Sequence, residues 1–245
     1  MPQQELEIRT PDGASDSVLI SPAGQGPCPG ILYFTDIAGI RTSNRESAAR
    51  LSKQGYAVLV PNIFYRFGRA PQKPFFLDLD ADGRAKRIAE LSAPLTPDAM
   101  ESDASTYIDF LTSHPQTRPG AIAVVGHCFS GKMAMHAAAV RPEKVAAVAS
   151  FHGGGLYTAA PTSPHLLLPR IKAQLYFGHA TEDRSMTADA IAKFEEALKR
   201  WGGKYESETY GAQHGWTSPD SPVYNQIQAE RAYGKLLELL QATLR

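Results

Sequence analysis

The segment VVGHCFSGKMA, residues 124–134, has two chemical interpretations, and both require a strand before it and a helix after it. The segment fits G-x-x-x-x-G-K, the pattern of a phosphate-binding P-loop. The same glycines could instead flank a sharp turn that presents Cys128 as a nucleophile. A P-loop needs serine or threonine after its lysine to hold Mg²⁺, and this chain has Met133 there. The sequence therefore favours the nucleophile turn.

A nucleophile turn of this kind is followed in the chain by an acid after a later strand, and then by a histidine. The segment HATEDRS follows an apolar strand-like run and supplies Asp183, with Glu182 beside it as a competing acid. The segment GAQHGW follows the next such run and supplies His214. The order nucleophile, acid, histidine therefore holds, and it predicts nucleophilic catalysis by Cys128.

Short apolar runs alternate with helical patterns along the chain, which predicts a mostly parallel sheet flanked by helices. We expect one α/β domain over residues 1–245, although a chain of this length could also form two small domains. Residues 63–95 look irregular and are predicted to form a pocket wall. Strands are predicted near 3–10, 17–23, 30–36, 56–62, 121–126, 145–151, 173–178 and 205–210. Helices are predicted near 43–54, 97–113, 129–141, 187–201 and 222–242.

The composition excludes several classes of protein. Lys+Arg and Asp+Glu both number 25, so the formal net charge of zero gives no general attraction for nucleic acid. No apolar run approaches the roughly 20 residues of a membrane helix, and the first ten residues do not form a secretory signal. Two cysteines lie far apart, which favours free thiols in a reducing cytoplasm over one disulfide. We expect a cytoplasmic monomer or small homo-oligomer.

These motifs resemble those of the dienelactone hydrolase family of the α/β-hydrolase superfamily, over almost the whole chain. The family pattern G-x-C-x-G-G matches Gly126, Cys128 and Gly131, with Ser130 in place of one glycine. The segments PNIFYR at 61–66, FTDIAGI at 34–40 and HGW at 214–216 are similar to further family segments. The resemblance implies an α/β-hydrolase fold with an eight-stranded sheet, and it favours Asp183 over Glu182 as the acid.

The implied reaction is hydrolysis of a small ester or lactone through a thioester on Cys128. His214 would act as the base and Asp183 would orient it. The N–H groups of Ile37 and Phe129 would form the oxyanion hole. No metal or organic cofactor is implied. The expected substrate is a small molecule, with no membrane or nucleic-acid partner.

The resemblance points to one side chain for thiol gating, and the irregular segment 63–95 offers arginines for the substrate pocket. Asp36 stands where the family has a glutamate that interacts with the resting thiol, and it could equally cap a turn. Arg66, Arg84 and Trp216 are candidate pocket residues, with Arg87 as a further arginine beside the same wall. Ser218 lies four residues after the histidine, where the family has an arginine that binds a substrate carboxylate. Serine cannot replace that charged contact, so we expect only weak preference for carboxylate-bearing lactones.

Less specific interpretations remain open. Cys128 could be a buried core residue, and His214 an ordinary loop histidine. His127, His152 and His179 are expected to be pocket lining or core and not metal ligands, because they lie in three segments without metal-ligand spacing. A member that kept the fold but only binds a small ligand is the alternative function, and a P-loop NTPase is a distant third.

Overall fold

The chain folds around one eight-stranded sheet in a computed structural model, whose described residues are 2–24 and 26–244. The strand order is β1-β2-β4-β3-β5-β6-β7-β8. The first two strands form an antiparallel hairpin, and β2 is antiparallel to β4. The other six strands, β3 to β8, all run parallel to one another. The strands are β1 Gln3–Thr10, β2 Gly13–Ile20, β3 Gly30–Phe34, β4 Ala57–Pro61, β5 Ile122–His127, β6 Val145–Phe151, β7 Gln174–Glu182 and β8 Tyr205–Gln213.

Helices cover both faces of the sheet. They are α1 Thr42–Ser52, α2 Ala81–Ser92, α3 Pro97–Ser113, α4 Gly131–Val140, α5 Ala188–Trp201 and α6 Gln226–Thr243. Every residue of β3 and β4 is buried, as expected for parallel strands that have helices on both sides. One apolar layer packs against α3, α4 and α5, and the other packs against α1 and α6. The predicted mostly parallel eight-stranded sheet is therefore confirmed.

The prediction was wrong about part of residues 63–95. This segment contains α2, which begins after Asp80, whose carboxylate accepts a hydrogen bond from the Gly83 N–H. Only Arg87 and Leu91 of α2 are buried, so the helix lacks the broad apolar stripe that makes a helix recognisable in a sequence. The remainder of the segment contains two short 3₁₀ turns at Tyr65–Phe67 and Phe76–Asp78.

The carboxyl ends of β7 and β8 extend beyond the predicted strands. They continue to Glu182 and Gln213, where the predictions ended near 178 and 210. A register irregularity lies between Ala180 and Glu182, and beyond it Glu182 pairs with Gln213. The two strands therefore end side by side, and the residues that follow them, Asp183 and His214, leave the sheet together.

Candidate active site

The turn after β5 holds Cys128 in a backbone conformation that few residues other than glycine adopt. Its φ is 55°, in the left-handed region, and α4 begins three residues later. A Cβ on Gly126 would lie 2.3 Å from the carbonyl oxygen of Ser130. A Cβ on Gly131 would lie 2.4 Å from the Ser150 hydroxyl oxygen. Close packing therefore requires glycine at both positions around the left-handed turn at Cys128, and such strained backbone is often found at functional sites.

Ser130, which replaces a family glycine, reinforces this turn. Its hydroxyl oxygen accepts a hydrogen bond from the N–H of His127 at 2.9 Å. The hydroxyl also lies 3.1 Å from the carbonyl oxygen of Phe34 at the end of β3 and 3.0 Å from that of His127. The side chain is completely buried. It therefore ties the turn to the neighbouring strand.

Cys128, His214 and Asp183 form one hydrogen-bonded chain. The Nε2 atom of His214 lies 3.0 Å from Cys128 Sγ, and its Nδ1 atom lies 2.6 Å from Asp183 Oδ2. The backbone N–H of His214 donates to the carbonyl of Glu182 at 3.0 Å, which joins the two loops. The geometry matches a nucleophile, a base and an orienting acid.

The acid in contact with the histidine is Asp183 and not its neighbour. The second oxygen of Asp183 accepts hydrogen bonds from the N–H and the hydroxyl of Ser185, at 2.7 and 2.6 Å. Only 2% of its side chain is exposed, whereas Glu182 is exposed. Asp183 is thus fixed from both sides, and Glu182 faces solvent.

The electrostatics of the pair favour a charged histidine. Burial disfavours the protonated form of His214, but hydrogen bonds with Asp183 and Cys128 outweigh it and raise its pKa to about 10. Burial alone would raise the pKa of Asp183, yet its hydrogen bonds with His214 and Ser185 hold that pKa below the usual value. An imidazolium at neutral pH is a suitable partner for a cysteine thiolate and a suitable acid for a leaving group.

The predicted oxyanion donors lie in two different turns. Phe129 follows the thiol directly, and Ile37 is buried in the turn between β3 and α1. Across residues 2–24 and 26–244, neither N–H takes part in a backbone hydrogen bond of a turn or loop. The role of these two groups as oxyanion donors stays a prediction.

Asp36 is bound to arginine. Its two oxygens lie 2.7 and 2.8 Å from the guanidinium nitrogens of Arg41, which also pairs with Asp220. The Asp36 carboxylate further accepts hydrogen bonds from the hydroxyl of Ser218 and the N–H of Ala38. These contacts hold together the loops after β3 and β8, and a role for Asp36 in thiol gating stays a prediction.

The arginines proposed for the pocket are held by protein groups. Arg66 pairs with the fully buried Asp103 at 2.7 Å and also with Asp12. Arg84 donates to the carbonyl of Leu77 at 2.9 Å. These contacts use nitrogens that a substrate carboxylate would otherwise need.

Trp216 is part of the core. Its side chain has no exposed surface, and its ring stacks on Tyr210 with the centroids 4.4 Å apart. It also meets the ring of His152 edge-on, with the centroids 6.0 Å apart. Trp216 therefore anchors the loop that carries His214 to the core.

His152, expected as pocket lining or core, lies beside the base residue, and two further residues near the thiol, Thr217 and Lys132, were not singled out from the sequence. The buried ring of His152 meets that of His214 edge-on, with centroids 5.0 Å apart. The hydroxyl of Thr217 lies 2.7 Å from His152 Nε2 and 3.2 Å from Nδ1 of His127. The ammonium of Lys132 lies 4.1 Å from the centre of the Phe129 ring. The G-x-x-x-x-G-K pattern contains Lys132 and could have drawn attention to it, whereas the place of Thr217 depends on the fold.

Open space borders the base and the acid. A cleft of about 630 Å³ is lined by His214, Asp183 and Ser185, among others. A second cavity of about 100 Å³ lies between α1 and α6, and it touches His127 and Thr217 but none of the three hydrogen-bonded residues. Cys128 lines neither of these two spaces, so neither is assigned as the substrate site.

Comparison with known proteins places the chain in a family. The model of the dienelactone hydrolase family matches residues 15–244. The chain belongs to the dienelactone hydrolase family, whose members are hydrolases. Carboxymethylenebutenolidase 1 of Cupriavidus pinatubonensis is 25% identical, over 96% of this chain and 95% of that protein. A provisionally assigned carboxymethylenebutenolidase of Synechocystis sp. is 26% identical, over 100% of this chain and 96% of the relative.

The fold of the family is also found here. The crystal structure of a provisionally assigned dienelactone hydrolase from Klebsiella pneumoniae superimposes with a TM-score of 0.86 at 18% identity, over 98% of each chain. The α/β-hydrolase fold expected from the sequence is therefore confirmed.

In the described part of the chain, none of the helices combines the length and apolar character needed to cross a bilayer.

Proposed function

We propose that this member of the dienelactone hydrolase family hydrolyses small carboxylic esters or lactones through a thioester on Cys128. One observation carries the proposal, the 3.0 Å contact between Cys128 Sγ and His214 Nε2, with Asp183 bound to the opposite side of the ring. The names of the relatives support the substrate class, because carboxymethylenebutenolidases act on a lactone.

Acylation begins when the sulfur of Cys128 attacks the carbonyl carbon of the substrate. A carbon–sulfur bond forms, and the carbonyl electron pair moves to the oxygen, which accepts hydrogen bonds from the N–H groups of Ile37 and Phe129. Each such donor is typically worth about 3 kcal/mol in the transition state. The carbon–oxygen bond then breaks, and the leaving oxygen takes the proton of His214. With a lactone, the leaving hydroxyl stays attached to the acyl group.

Deacylation uses the same residues in reverse. His214, now neutral, takes a proton from water, and the resulting hydroxide attacks the thioester carbon. The carbon–sulfur bond breaks, Cys128 leaves as a thiolate, and the acid product departs. Throughout both steps Asp183 keeps the ring oriented and stabilises its protonated form. The imidazolium–thiolate pair is restored, so protons and electrons balance over the cycle.

A panel of p-nitrophenyl acetate, small lactones and small neutral esters tests this proposal. We expect turnover by the reduced wild-type protein and loss of turnover in Cys128→Ala. Mass spectrometry of the reaction quenched with acid should find the acyl group on Cys128. Absence of turnover by folded, reduced wild-type protein across the panel would instead favour a ligand-binding member of the family.

A further inference from the structure

A third possible metal ligand lies beside the thiol and the base. One ligand atom each from Cys128, His152 and His214 lies within 4.8 Å of the other two. His152 is not needed for the proposed hydrolysis, yet it is 1% exposed. Its Nδ1 atom is buried and has no hydrogen-bond partner among the residues that the structure describes. An unpaired buried polar atom is costly, and a ligand bound to it would offset that cost.

The surroundings of both histidines match those of metal ligands. In a typical site, the ring nitrogen that does not bind the metal is hydrogen-bonded to a carboxylate or another oxygen. The Nδ1 atom of His214 is bound to Asp183 at 2.6 Å, which leaves Nε2 toward the thiol. The Nε2 atom of His152 is bound to the hydroxyl of Thr217 at 2.7 Å, which leaves Nδ1 for a ligand.

The backbone around His152 is also specialised. Its φ is 40°, in the left-handed region like that of Cys128, and its N–H donates to the carbonyl of Gly178 at 2.7 Å. The N–H of Gly154, two residues later, donates to the carbonyl of Cys128 at 3.1 Å. The loop after β6 therefore fixes His152 directly against the nucleophile turn.

We propose that Cys128, His152 and His214 form a reversible inhibitory site for a thiophilic divalent cation, with Zn²⁺ as the best match. One sulfur and two imidazole nitrogens are the donors of many tetrahedral zinc sites, and a water molecule would supply the fourth ligand. Hard cations such as Mg²⁺ prefer oxygen ligands and do not suit this set.

Binding would remove both reacting groups at once. Zn²⁺ would form bonds to the sulfur of Cys128 and to the Nε2 atom of His214, and the one proton that these two groups share would pass to solvent. The oxidation states of metal and sulfur do not change. The captured thiolate could no longer attack an ester, and the captured imidazole could no longer carry a proton. Removal of the metal by a chelator would restore both groups.

Co²⁺ serves as the spectroscopic probe, because its thiolate complexes have a ligand-to-metal absorption that does not depend on hydrolysis. The protein is kept reduced with a phosphine, since thiol reductants would compete for the metal. We expect the wild-type protein to bind one Co²⁺ with thiolate absorption, which Zn²⁺ displaces and Mg²⁺ does not. Zn²⁺ should also raise the Tm, because it binds the folded state.

Substitutions separate the proposed site from other possible ligands. His152→Asn keeps a residue that tolerates positive φ and should weaken Co²⁺ binding at least about tenfold. Thr217→Val removes the hydroxyl that orients His152 and should weaken binding about 10–100-fold. Cys128→Ala should abolish the thiolate absorption, whereas Cys28→Ala, the matched control at the other cysteine, should retain it.

The outcomes distinguish this inference from the proposed hydrolysis, because the metal readout requires no substrate. Equal Co²⁺ affinity in wild type and folded His152→Asn would overturn the three-ligand site. Thiolate absorption that persists in Cys128→Ala, or disappears in Cys28→Ala, would place the metal elsewhere. If both His152→Asn and Thr217→Val are folded by circular dichroism and bind weakly, the site is supported, whether or not an ester substrate has been found.

Discussion

The hydroxyl of Ser218 donates a hydrogen bond to Asp36, with 3.1 Å between the two oxygens. Asp36 in turn holds Arg41, whose guanidinium also pairs with Asp220. The side-chain exposure of Arg41 is only 7%. The position where the family resemblance suggests a substrate-binding arginine is therefore occupied by a serine, and the guanidinium nearby is neutralised by two carboxylates.

This arrangement predicts weak selection for charged substrates. We expect kcat/KM for a carboxylate-bearing dienelactone to lie within about 100-fold of that for a neutral lactone of similar size, because one charged hydrogen bond contributes about 1.5–3 kcal/mol. Steady-state kinetics on the two lactones gives the ratio. A preference of a thousandfold or more would show that another cation binds the carboxylate.

Lys132 is a candidate cation for any remaining preference, because it lies close enough to Cys128 for their charges to interact. Burial lowers the pKa of its ammonium, while Cys128 acts in the opposite direction. We expect Lys132→Met to bring the two kcat/KM values closer together, and the exposed Lys199 gives the matched control Lys199→Met. An unchanged ratio in Lys132→Met would exclude Lys132 from substrate recognition.

Alkylation should distinguish the two cysteines. We expect iodoacetamide to modify Cys128 at least about tenfold faster than Cys28, with loss of activity in proportion to Cys128 labelling. Cys128 lies beside His214, whereas Cys28 is 6% exposed and burial raises its pKa. Peptide mass spectrometry at partial inactivation measures both rates. Activity that survives complete modification of Cys128 would rule out the cysteine mechanism.

Substitution of Asp183 should lower kcat far more than substitution of the neighbouring Glu182. We expect Asp183→Asn to lower kcat about 10³–10⁴-fold, because the histidine loses its orienting carboxylate. His214→Ala should lower kcat at least as far, since it removes the proton carrier itself. Glu182→Gln is the adjacent control and should have little effect, because this side chain is exposed. If Asp183→Asn left kcat unchanged and Glu182→Gln lowered it, Glu182 and not Asp183 would be the acid.

The packing of the nucleophile turn makes Gly126 sensitive to a single methyl group. In Gly126→Ala, the new Cβ would lie 2.3 Å from the Ser130 carbonyl oxygen, so the backbone must shift. We expect a loss of about 1–3 kcal/mol in the free energy of unfolding, with a lower Tm and lower kcat. Gly234→Ala in α6 is the control, because its Cβ meets nothing within 4 Å and alanine favours the helix. Equal Tm values for the two variants would contradict this account.

The buried His179 predicts a loss of stability in mild acid. Both ring nitrogens lack hydrogen-bond partners among the described residues, and burial lowers its pKa from 6.5 to about 4, although Asp183 acts in the opposite direction. Between these two values the unfolded chain binds the proton and the folded chain does not. This contribution to stability is therefore present above pH 6.5 and is lost as the pH falls toward 4.

Comparison with an apolar variant isolates this contribution. From pH 7 to pH 5 we expect the wild type to lose about 2 kcal/mol more in the free energy of unfolding than His179→Leu, because a leucine side chain suits the neighbouring rings of Phe177 and Phe194. Urea denaturation at the two pH values measures the difference. A stability gap between the two proteins that does not change with pH would refute the prediction.

The sequence predicted the features that local chemistry determines. The buried strands were recognisable from continuous apolar runs, and the turn at Cys128 from the closely spaced glycines. The order of Cys128, Asp183 and His214 along the chain identified residues that the structure brings into contact. Residues that directly follow strands could be predicted to lie together, because the carboxyl ends of parallel strands meet at one edge of the sheet.

The features that the sequence did not reveal depend on long-range packing. Arg41 pairs with Asp220, which is 179 positions later, and no local sequence pattern predicts such a pair. Thr217 reaches His152 across 65 positions. His127 and His152 lack the regular spacing of metal motifs, yet neighbouring strand ends place their rings 6.0 Å apart. Wide separation in sequence is therefore weak evidence against a shared site.

The strand order also has a consequence for synthesis on the ribosome. β3 lies between β4 and β5 in the sheet, but β5 begins only at Ile122. A nascent chain that ends before this residue can pair β1, β2, β4 and β3, and it then presents β3, all five residues of which are apolar or glycine, as an open edge. Exposed apolar edges recruit other chains. The first half of the polypeptide should therefore be the part that depends most on chaperones during translation.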